Sequence, residues 1–152
     1  MELNFETSSG VKIVRNWGYQ LQSSGGKKGK GKTKPLNTDE LAKTPHDLIV
    51  IDAMKDGTYA HAFTPAEVKR LKDRAGAHSV VVSYISIGEA SDYRDHWQDN
   101  WTTYTDPDQR AAGEPTANAP AWLGAWNENW PNSRKVRYWD PAWQAIIFND
   151  KK

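Results

Sequence analysis

Three carboxylic acids stand at or just after the ends of predicted β-strands. Asp52 closes the apolar run LIVID, Glu89 follows the run VVVSYISI and Gly88, and Asp140 follows KVRYW. If these strands are parallel, their carboxyl ends meet at one rim, where ligands bind in barrels and open α/β sheets. Neighbouring strands lie about 4.8 Å apart, so such acids would share one substrate. Paired carboxylates of this kind perform glycoside hydrolysis, and the three acids are therefore candidate catalytic residues.

Each of these acids also has a purely structural interpretation. Asp140 precedes Pro141 and is well placed to cap a helix. Asp52 is also placed to begin the turn that follows its strand. Glu89 would pair with Arg94, because an unpaired charge beside a very apolar strand is costly. The sequence does not separate an acid from a nucleophile among the three.

Tryptophan is unusually abundant, with eight residues of which seven lie after residue 96. Aromatic rings stack on the C–H faces of sugars, but tryptophan also fills cores because it buries a large area. Trp143 lies on the apolar face of a predicted helix, so we expect it in the core. Trp97, Trp126 and Trp130 lie among polar residues, where sugar binding and core filling are both open.

The elements that must position these residues alternate between strands and helices. Residues 1–10 are predicted to be an irregular lead-in. Strands are predicted over 19–22, 48–52, 80–87 and 135–139. Helices are predicted at 37–43, at 64–76 with a capping box of Thr64, Pro65 and Glu67, at 90–101, and from Asp140 onward. This alternation is typical of an α/β protein with a parallel sheet and crossover helices.

Composition and charge exclude several classes of function. The 152 residues include no cysteine, which excludes disulfides, a cysteine–zinc site and thiol catalysis. Five of the 20 basic residues lie in the Gly/Lys-rich segment 23–36, predicted to be a flexible loop, leaving 15 basic against 19 acidic residues elsewhere. That distribution is unlike a nucleic-acid-binding face. No membrane span or signal peptide is visible. The four histidines lack metal-ligand spacing, so neither a metal nor another cofactor is predicted.

Several blocks of the sequence resemble glycoside hydrolase family 114, whose members are described as endo-α-1,4-polygalactosaminidase-like. The blocks run in order from about residue 17 to 147 and comprise YQLQ, DLIVID, FTPAEV, YISIGEASDYRDHW, AWLGAWNENWP and VRYWDPAWQAII. The resemblance implies a hydrolase acting on a galactosamine-containing polysaccharide or oligosaccharide in an extracytoplasmic location. We expect substrate contacts from Trp17, Gln22, Tyr84, Arg94, Trp97, Trp126, Trp130 and Trp139.

The resemblance also implies a (β/α)8 TIM barrel, which typically needs about 250 residues. The expectation is therefore a partial barrel of about four βα units with parallel strands, forming one domain over residues 1–152 and truncated at the C-terminus. Open edges of such a sheet favour self-association. Two alternatives stay open for function: a carbohydrate-binding remnant without catalysis, and a module whose Lys27–Lys34 segment binds polyanions.

Overall fold

The computed structural model describes residues 2–8, 10–21, 34–73 and 80–148. They form two compact units, the first from residues within 1–26 and 34–85 and the second from residues after 85. The single domain over 1–152 stays a prediction. Predictions for Gln22, for His78 and for residues 23–33 of the Lys-rich loop lie outside the described residues.

The first unit begins with an antiparallel hairpin of β1 (Leu3–Thr7) and β2 (Gly10–Val14). Its turn brings Thr7 opposite Gly10, which has φ of 103°, a backbone conformation that glycine adopts without a steric cost. The irregular lead-in predicted for residues 1–10 is therefore wrong. The hairpin was missed because each strand has only five residues and most of their side chains are exposed, so the alternation is short.

Three parallel strands form the sheet of the first unit, and the central one is β4 (Leu48–Asp52). Strand β3 (Trp17–Gln20) and strand β5 (Val80–Tyr84) both pair in parallel with β4. Helix α1 (Thr38–Ala42) lies between β3 and β4 in sequence, and helix α2 (Pro65–Lys72) lies between β4 and β5. These connections bring the carboxyl ends of β4 and β5 to the same edge of the sheet.

One face of this sheet is the core of the first unit. Ile49 and Ile51 alternate along β4 and pack with Leu41 of α1 and Leu71 of α2, the last fully buried. Residues two apart in a strand share a face, so the intervening residues of β4 point to the opposite side. The continuous apolar run LIVID therefore supplies both faces of the sheet.

Helix α2 starts with the capping box that the sequence predicts. The Thr64 hydroxyl accepts from the backbone N–H of Glu67, and the Glu67 carboxylate accepts from the backbone N–H of Thr64, with Pro65 at the first helical position. The helix ends at Lys72 in the described residues. Asn37 caps α1, since its side chain accepts from two backbone N–H groups of that helix.

The Glu67 carboxylate makes the first unit sensitive to acid. A hydrogen bond from Lys55 at 2.8 Å, together with the Thr64 backbone N–H, lowers the pKa of Glu67 from 4.5 to about 2. The folded state then binds fewer protons than the unfolded state between these values. We expect this contribution to stability to be complete above pH 4.5 and to disappear as the pH falls to about 2. Urea unfolding of Glu67→Gln between pH 2.5 and 7 should show a flatter acid dependence than the parent chain, whereas Glu6→Gln should leave it unchanged. An unaltered slope in Glu67→Gln contradicts the assignment.

The second unit is built from small antiparallel sheets. Strand β10 (Ser133–Val136) lies between β6 (Glu89–Ser91) and β9 (Leu123–Trp126) and is antiparallel to both. Strand β7 (Thr102–Thr103) pairs antiparallel with β8 (Glu114–Pro115). The last element is helix α3 (Pro141–Phe148), and short 3-10 turns occur at Asp99–Trp101 and Arg110–Ala112.

The predicted partial TIM barrel of four parallel βα units is wrong. Strand β5 ends at Tyr84 and not at Ile87, and residues 89–91 form a separate strand antiparallel to β10. Residues 90–101 do not form the predicted helix. The described residues contain three α-helices and a mixture of parallel and antiparallel sheets. The apolar pattern of β10 is the same for either strand direction, so direction was decided by pairing with distant residues.

Aromatic rings fill the core of the second unit. Trp101 contacts Trp97 and Trp122, with ring centroids 5.3 and 5.2 Å apart, and Trp122 lies 4.8 Å from Trp143. Trp143 is 1% exposed, which confirms its predicted place in the core. No helix among the described residues is long and apolar enough to cross a membrane.

Candidate functional site

The face of the parallel sheet opposite the core carries three aromatic side chains and one acid. Strand alternation places Trp17 and Tyr19 of β3 on this face together with Asp52 of β4 and Tyr84 of β5. We call these four residues the aromatic face. Trp17 is 64% and Tyr19 55% exposed, whereas Asp52 is almost completely buried.

Asp52 lies on the central strand between the two tyrosines of the aromatic face. It is the direct register partner of Tyr84, and the rings of Tyr19 and Tyr84 meet edge to face with centroids 6.3 Å apart. Its Oδ1 accepts from the backbone N–H of Met54 at 3.0 Å. Asp52 therefore begins the turn after β4, as its structural interpretation predicted, and also lies beside two aromatic rings.

The electrostatics of this group favour the protonated form of the Tyr19 hydroxyl. Partial desolvation raises the pKa of Tyr19 above its usual value of 10, and the nearby Tyr84 and Asp52 raise it further. A neutral phenol donates one hydrogen bond, whereas a carboxylate only accepts. The aromatic face thus offers a donor, an acceptor and ring surfaces on one side of the sheet, with Trp17 beside the start of β4 and Asp52 at its end.

The other two predicted acids lie in the second unit, in settings unlike the predicted strand ends. Glu89 is the first residue of β6, and its Oε1 accepts from Asn127 Nδ2 at 2.6 Å. Asp140 caps α3, since its Oδ1 accepts from the backbone N–H of Ala142 at 2.9 Å. Because β6 and β10 are antiparallel, the expectation that parallel strands deliver all three acids to one rim does not hold for Glu89 and Asp140.

The predicted tryptophan contacts of the second unit divide into buried and exposed residues. Trp97 is only 5% exposed within the core, so we correct its predicted role: its ring packs against Trp101 instead of facing solvent. Trp126 is half-buried and donates its indole N–H to the Pro131 carbonyl at 2.9 Å. Trp139 is 63% and Trp130 38% exposed, which leaves both accessible.

Arg94, the remaining predicted contact in the second unit, lies next to an aromatic ring. Its guanidinium carbon is 5.4 Å from the centroid of the Tyr93 ring. The carboxylate of Glu89, its predicted alternative partner, is hydrogen-bonded to Asn127. The role of Arg94 in substrate binding stays a prediction.

Tyr19 and Tyr138 are exposed aromatic residues that were not among the predicted site residues. Tyr19 belongs to the aromatic face, and Tyr138 is 57% exposed with its ring 5.0 Å from that of Trp139. The spacing of Trp17 and Tyr19, two apart in a strand, was the signal that would have placed both on one face. Tyr138 carries no comparable signal because it follows the end of β10.

The part of the chain that the structure describes was searched for side chains grouped as metal ligands. None of its His, Asp and Glu side chains form a group of three or more with the arrangement needed to hold a metal ion. The polar groups that the aromatic face offers to a ligand are the Asp52 carboxylate and the hydroxyls of Tyr19 and Tyr84.

Comparison with known proteins gives relatives of similar sequence whose functions are not described. No protein-family profile matches the chain. It is 37% identical over 144 residues to an uncharacterized protein of Methanocaldococcus jannaschii, covering 95% of this chain and 33% of that protein. It is 33% identical over 134 residues to an uncharacterized protein of Thermotoga maritima, covering 88% and 32%, respectively. An uncharacterized protein of Deinococcus radiodurans is 35% identical over 137 residues, which are 90% of this chain and 35% of that protein. The chain thus spans about one third of the length of these relatives.

Proposed function

We propose that this chain is part of a carbohydrate-active protein of the glycoside hydrolase family 114 type, which hydrolyses O-glycosidic bonds in a galactosamine-containing polysaccharide. The observation that carries the proposal is the aromatic face, where Asp52 lies beside Tyr84 and close to Tyr19. The substrate class comes from the resemblance of the sequence blocks. The aromatic face supports it through the chemistry of sugar recognition.

An amino sugar presents three features that the aromatic face matches. Its C–H face packs on an aromatic ring, and the rings of Trp17 and Tyr19 are more than half exposed. Its hydroxyls accept from the protonated Tyr19 hydroxyl and donate to Asp52. Its ammonium group is attracted both by a carboxylate and by the faces of tyrosine rings. The group of Tyr19, Tyr84 and Asp52 therefore suits a cationic sugar better than a neutral apolar ligand.

Hydrolysis requires more than binding, because glycosidases usually employ two carboxyl groups. Asp52 is the carboxyl group that we assign to the aromatic face. Glu89 and Asp140 stay candidate catalytic residues, and each already uses one carboxylate oxygen in a hydrogen bond, Glu89 with Asn127 and Asp140 with the backbone of Ala142. A substitution that removes the charge and preserves the shape of the side chain tests each of them.

A second candidate function is carbohydrate binding without hydrolysis. The described strands of the first unit place one carboxylate, Asp52, on the aromatic face, whereas hydrolysis by the usual route needs two. This observation favours a binding role for that face. One experiment separates the two functions if it measures binding and bond cleavage on the same sample.

The experiment uses purified full chain with polygalactosamine oligosaccharides. Calorimetry measures binding, and the release of reducing ends measures hydrolysis. For the hydrolase, we expect Asp52→Asn to reduce the rate on the order of 10²–10⁴-fold, the usual contribution of a general acid or base. Tyr19→Ala should weaken binding several-fold through loss of ring contact. Glu89→Gln and Asp140→Asn are measured in parallel.

Asp39→Asn is the matched control, because Asp39 is an exposed acid on α1, away from the strands of the aromatic face. It should leave both binding and hydrolysis unchanged. Binding without any release of reducing ends, lost in Asp52→Asn and Tyr19→Ala, supports the second function. Absence of both binding and hydrolysis contradicts both functions. If Asp39→Asn and Asp52→Asn have equal effects, the aromatic face takes part in neither binding nor hydrolysis.

Self-association stays a prediction that sedimentation can test. Strands β3 and β5 are the outer strands of the three-stranded parallel sheet in the first unit. Outer strands offer unpaired backbone groups to another chain. We expect the sedimentation coefficient of the chain to rise with concentration. A constant monomeric value over a wide range of concentrations would contradict the prediction.

A further inference from the structure

A cavity of about 630 Å³ lies within the first unit, separate from the aromatic face. Its described lining comes from the β1–β2 hairpin, helix α2 and the start of β5. The lining combines lysine side chains with apolar ones. We call it the lysine cleft, and its principal lining residues are Lys12, Lys69, Lys72, Phe63, Val68 and Val81.

The charge in the lysine cleft is predominantly positive. Lys69 forms an ion pair with Asp73, which also lines the cleft, so these two charges offset each other. Within the described part of the chain, Lys12 and Lys72 take part in no ion pair. The cleft therefore holds two ammonium groups whose charge a ligand would neutralise.

The apolar side chains of the lysine cleft indicate that the uncharged part of the ligand is apolar. Phe63, Val68 and Val81 are only partly buried, although Phe63 and Val81 also pack against the core of the first unit. Covering these side chains with an apolar group removes them from water, which is favourable. The volume lies in the range of about 300–1,000 Å³ that is typical of small-molecule sites.

We propose that the lysine cleft binds a small organic anion with an apolar body, such as an aliphatic carboxylate of medium length. The carboxylate contacts Lys12 and Lys72, and the chain lies against Phe63, Val68 and Val81. The hydroxyl of Ser8, which also lines the cleft, is an additional donor for the anion. A polyanion is a poorer match, because its repeated charges would lie against the apolar side.

The test measures binding of octanoate to the full chain by calorimetry at low salt. Acetate carries the same charge without the apolar chain, and octylamine carries the apolar chain with the opposite charge. We expect octanoate to bind and both comparison ligands to bind at least about tenfold more weakly, a difference of about 1.4 kcal/mol. Inorganic phosphate is a fourth probe, and tighter binding of phosphate than of octanoate overturns the apolar part of the proposal.

Variants then locate the site. The double variant Lys12→Ala and Lys72→Ala removes exposed or half-exposed charges, so it should fold, and should lower octanoate affinity about tenfold or more. The substitution Val68→Phe should lower it by occupying the cavity. Lys43→Ala is the matched control, since Lys43 is a lysine at the end of α1 that does not line the cleft. Octanoate binding that is absent, or that is unaffected by both cleft variants, overturns the proposal.

Discussion

Replacing Trp143 with alanine is expected to lower the free energy of unfolding of the second unit by about 3–5 kcal/mol, the usual cost of removing a large aromatic side chain from a core. Trp143 is 1% exposed and lies at the end of a row of packed rings, 4.8 Å from Trp122. The ring of His96 meets it edge to face at 5.3 Å. Alanine would leave a cavity that these rings cannot fill without moving.

The Trp143 indole also makes a hydrogen bond that alanine removes. Its Nε1–H donates to the Ile87 carbonyl at 2.9 Å, which ties α3 to the segment before β6. This hydrogen bond is only partly buried, so its loss costs about 0.5–1.5 kcal/mol, the net value of a typical hydrogen bond. Trp143→Phe keeps most of the ring volume and loses this hydrogen bond, so its destabilisation should lie between those of the parent chain and the alanine variant.

Denaturant unfolding followed by tryptophan fluorescence and by circular dichroism measures the effect. Phe148→Ala is the matched control, because Phe148 is on the same helix and is 72% exposed. It should change the free energy of unfolding by less than about 0.5 kcal/mol. If Trp143→Ala destabilises the chain no more than Phe148→Ala does, the aromatic core does not hold α3 in place.

Replacing Arg134 with methionine is expected to destabilise the second unit by about 2–4 kcal/mol, mainly by leaving backbone carbonyls without donors. Arg134 is 6% exposed on β10, and its guanidinium donates to three carbonyl oxygens. Nε donates to Gly124 at 2.8 Å, and Nη1 donates to Ala111 at 3.0 Å and Gly113 at 2.8 Å. One side chain therefore links β10, β9 and the 3-10 turn at Arg110–Ala112.

Burial of the Arg134 guanidinium lowers its pKa, and Glu114 partly offsets this effect. Arg134→Lys is the informative second variant. Lysine keeps the charge but lacks the planar fork that reaches several acceptors at once. We therefore expect Lys to recover only part of the stability lost in Arg134→Met.

Lys135→Met is the control for Arg134, because Lys135 is the next residue on β10 and is exposed. Thermal unfolding by circular dichroism should give similar midpoints for this variant and the parent chain. Trp143→Ala and Arg134→Met should destabilise the second unit for different physical reasons. The first leaves a cavity, and the second leaves carbonyl groups without donors. If Arg134→Met and Lys135→Met melt alike, the three hydrogen bonds of Arg134 contribute little to stability.

The candidate site was only partly predictable from the residues. Asp52 was singled out because it ends an apolar strand, and Tyr84 because it lies in the next apolar strand; the structure makes them register partners. Tyr19 was missed as a site residue, although its spacing from Trp17 follows the period of a strand. The prediction that Glu89 and Asp140 share a rim with Asp52 required parallel strands, whereas β6 and β10 of the second unit are antiparallel.

Trp97 shows why residue type alone does not separate a ligand contact from a core contact. Because the sequence neighbours of Trp97 are polar, sugar binding and core filling were both open for it. In the structure its ring is buried against Trp101. Trp139, which was also an expected substrate contact, is 63% exposed. The difference lies in which distant residues cover each ring, and no local pattern encodes that.

The sequence by itself determined the local elements of this protein. Strand β4 over Leu48–Asp52, the capping box of α2 and the start of α3 after Asp140 all follow from neighbouring residues, because alternation and capping act over a few positions. Only the tertiary structure decided the directions of the strands. After Tyr84 the chain forms antiparallel sheets, since β6 and β10 pair although they lie far apart in the sequence, and the free energy of that pairing depends on contacts that neither strand contains alone.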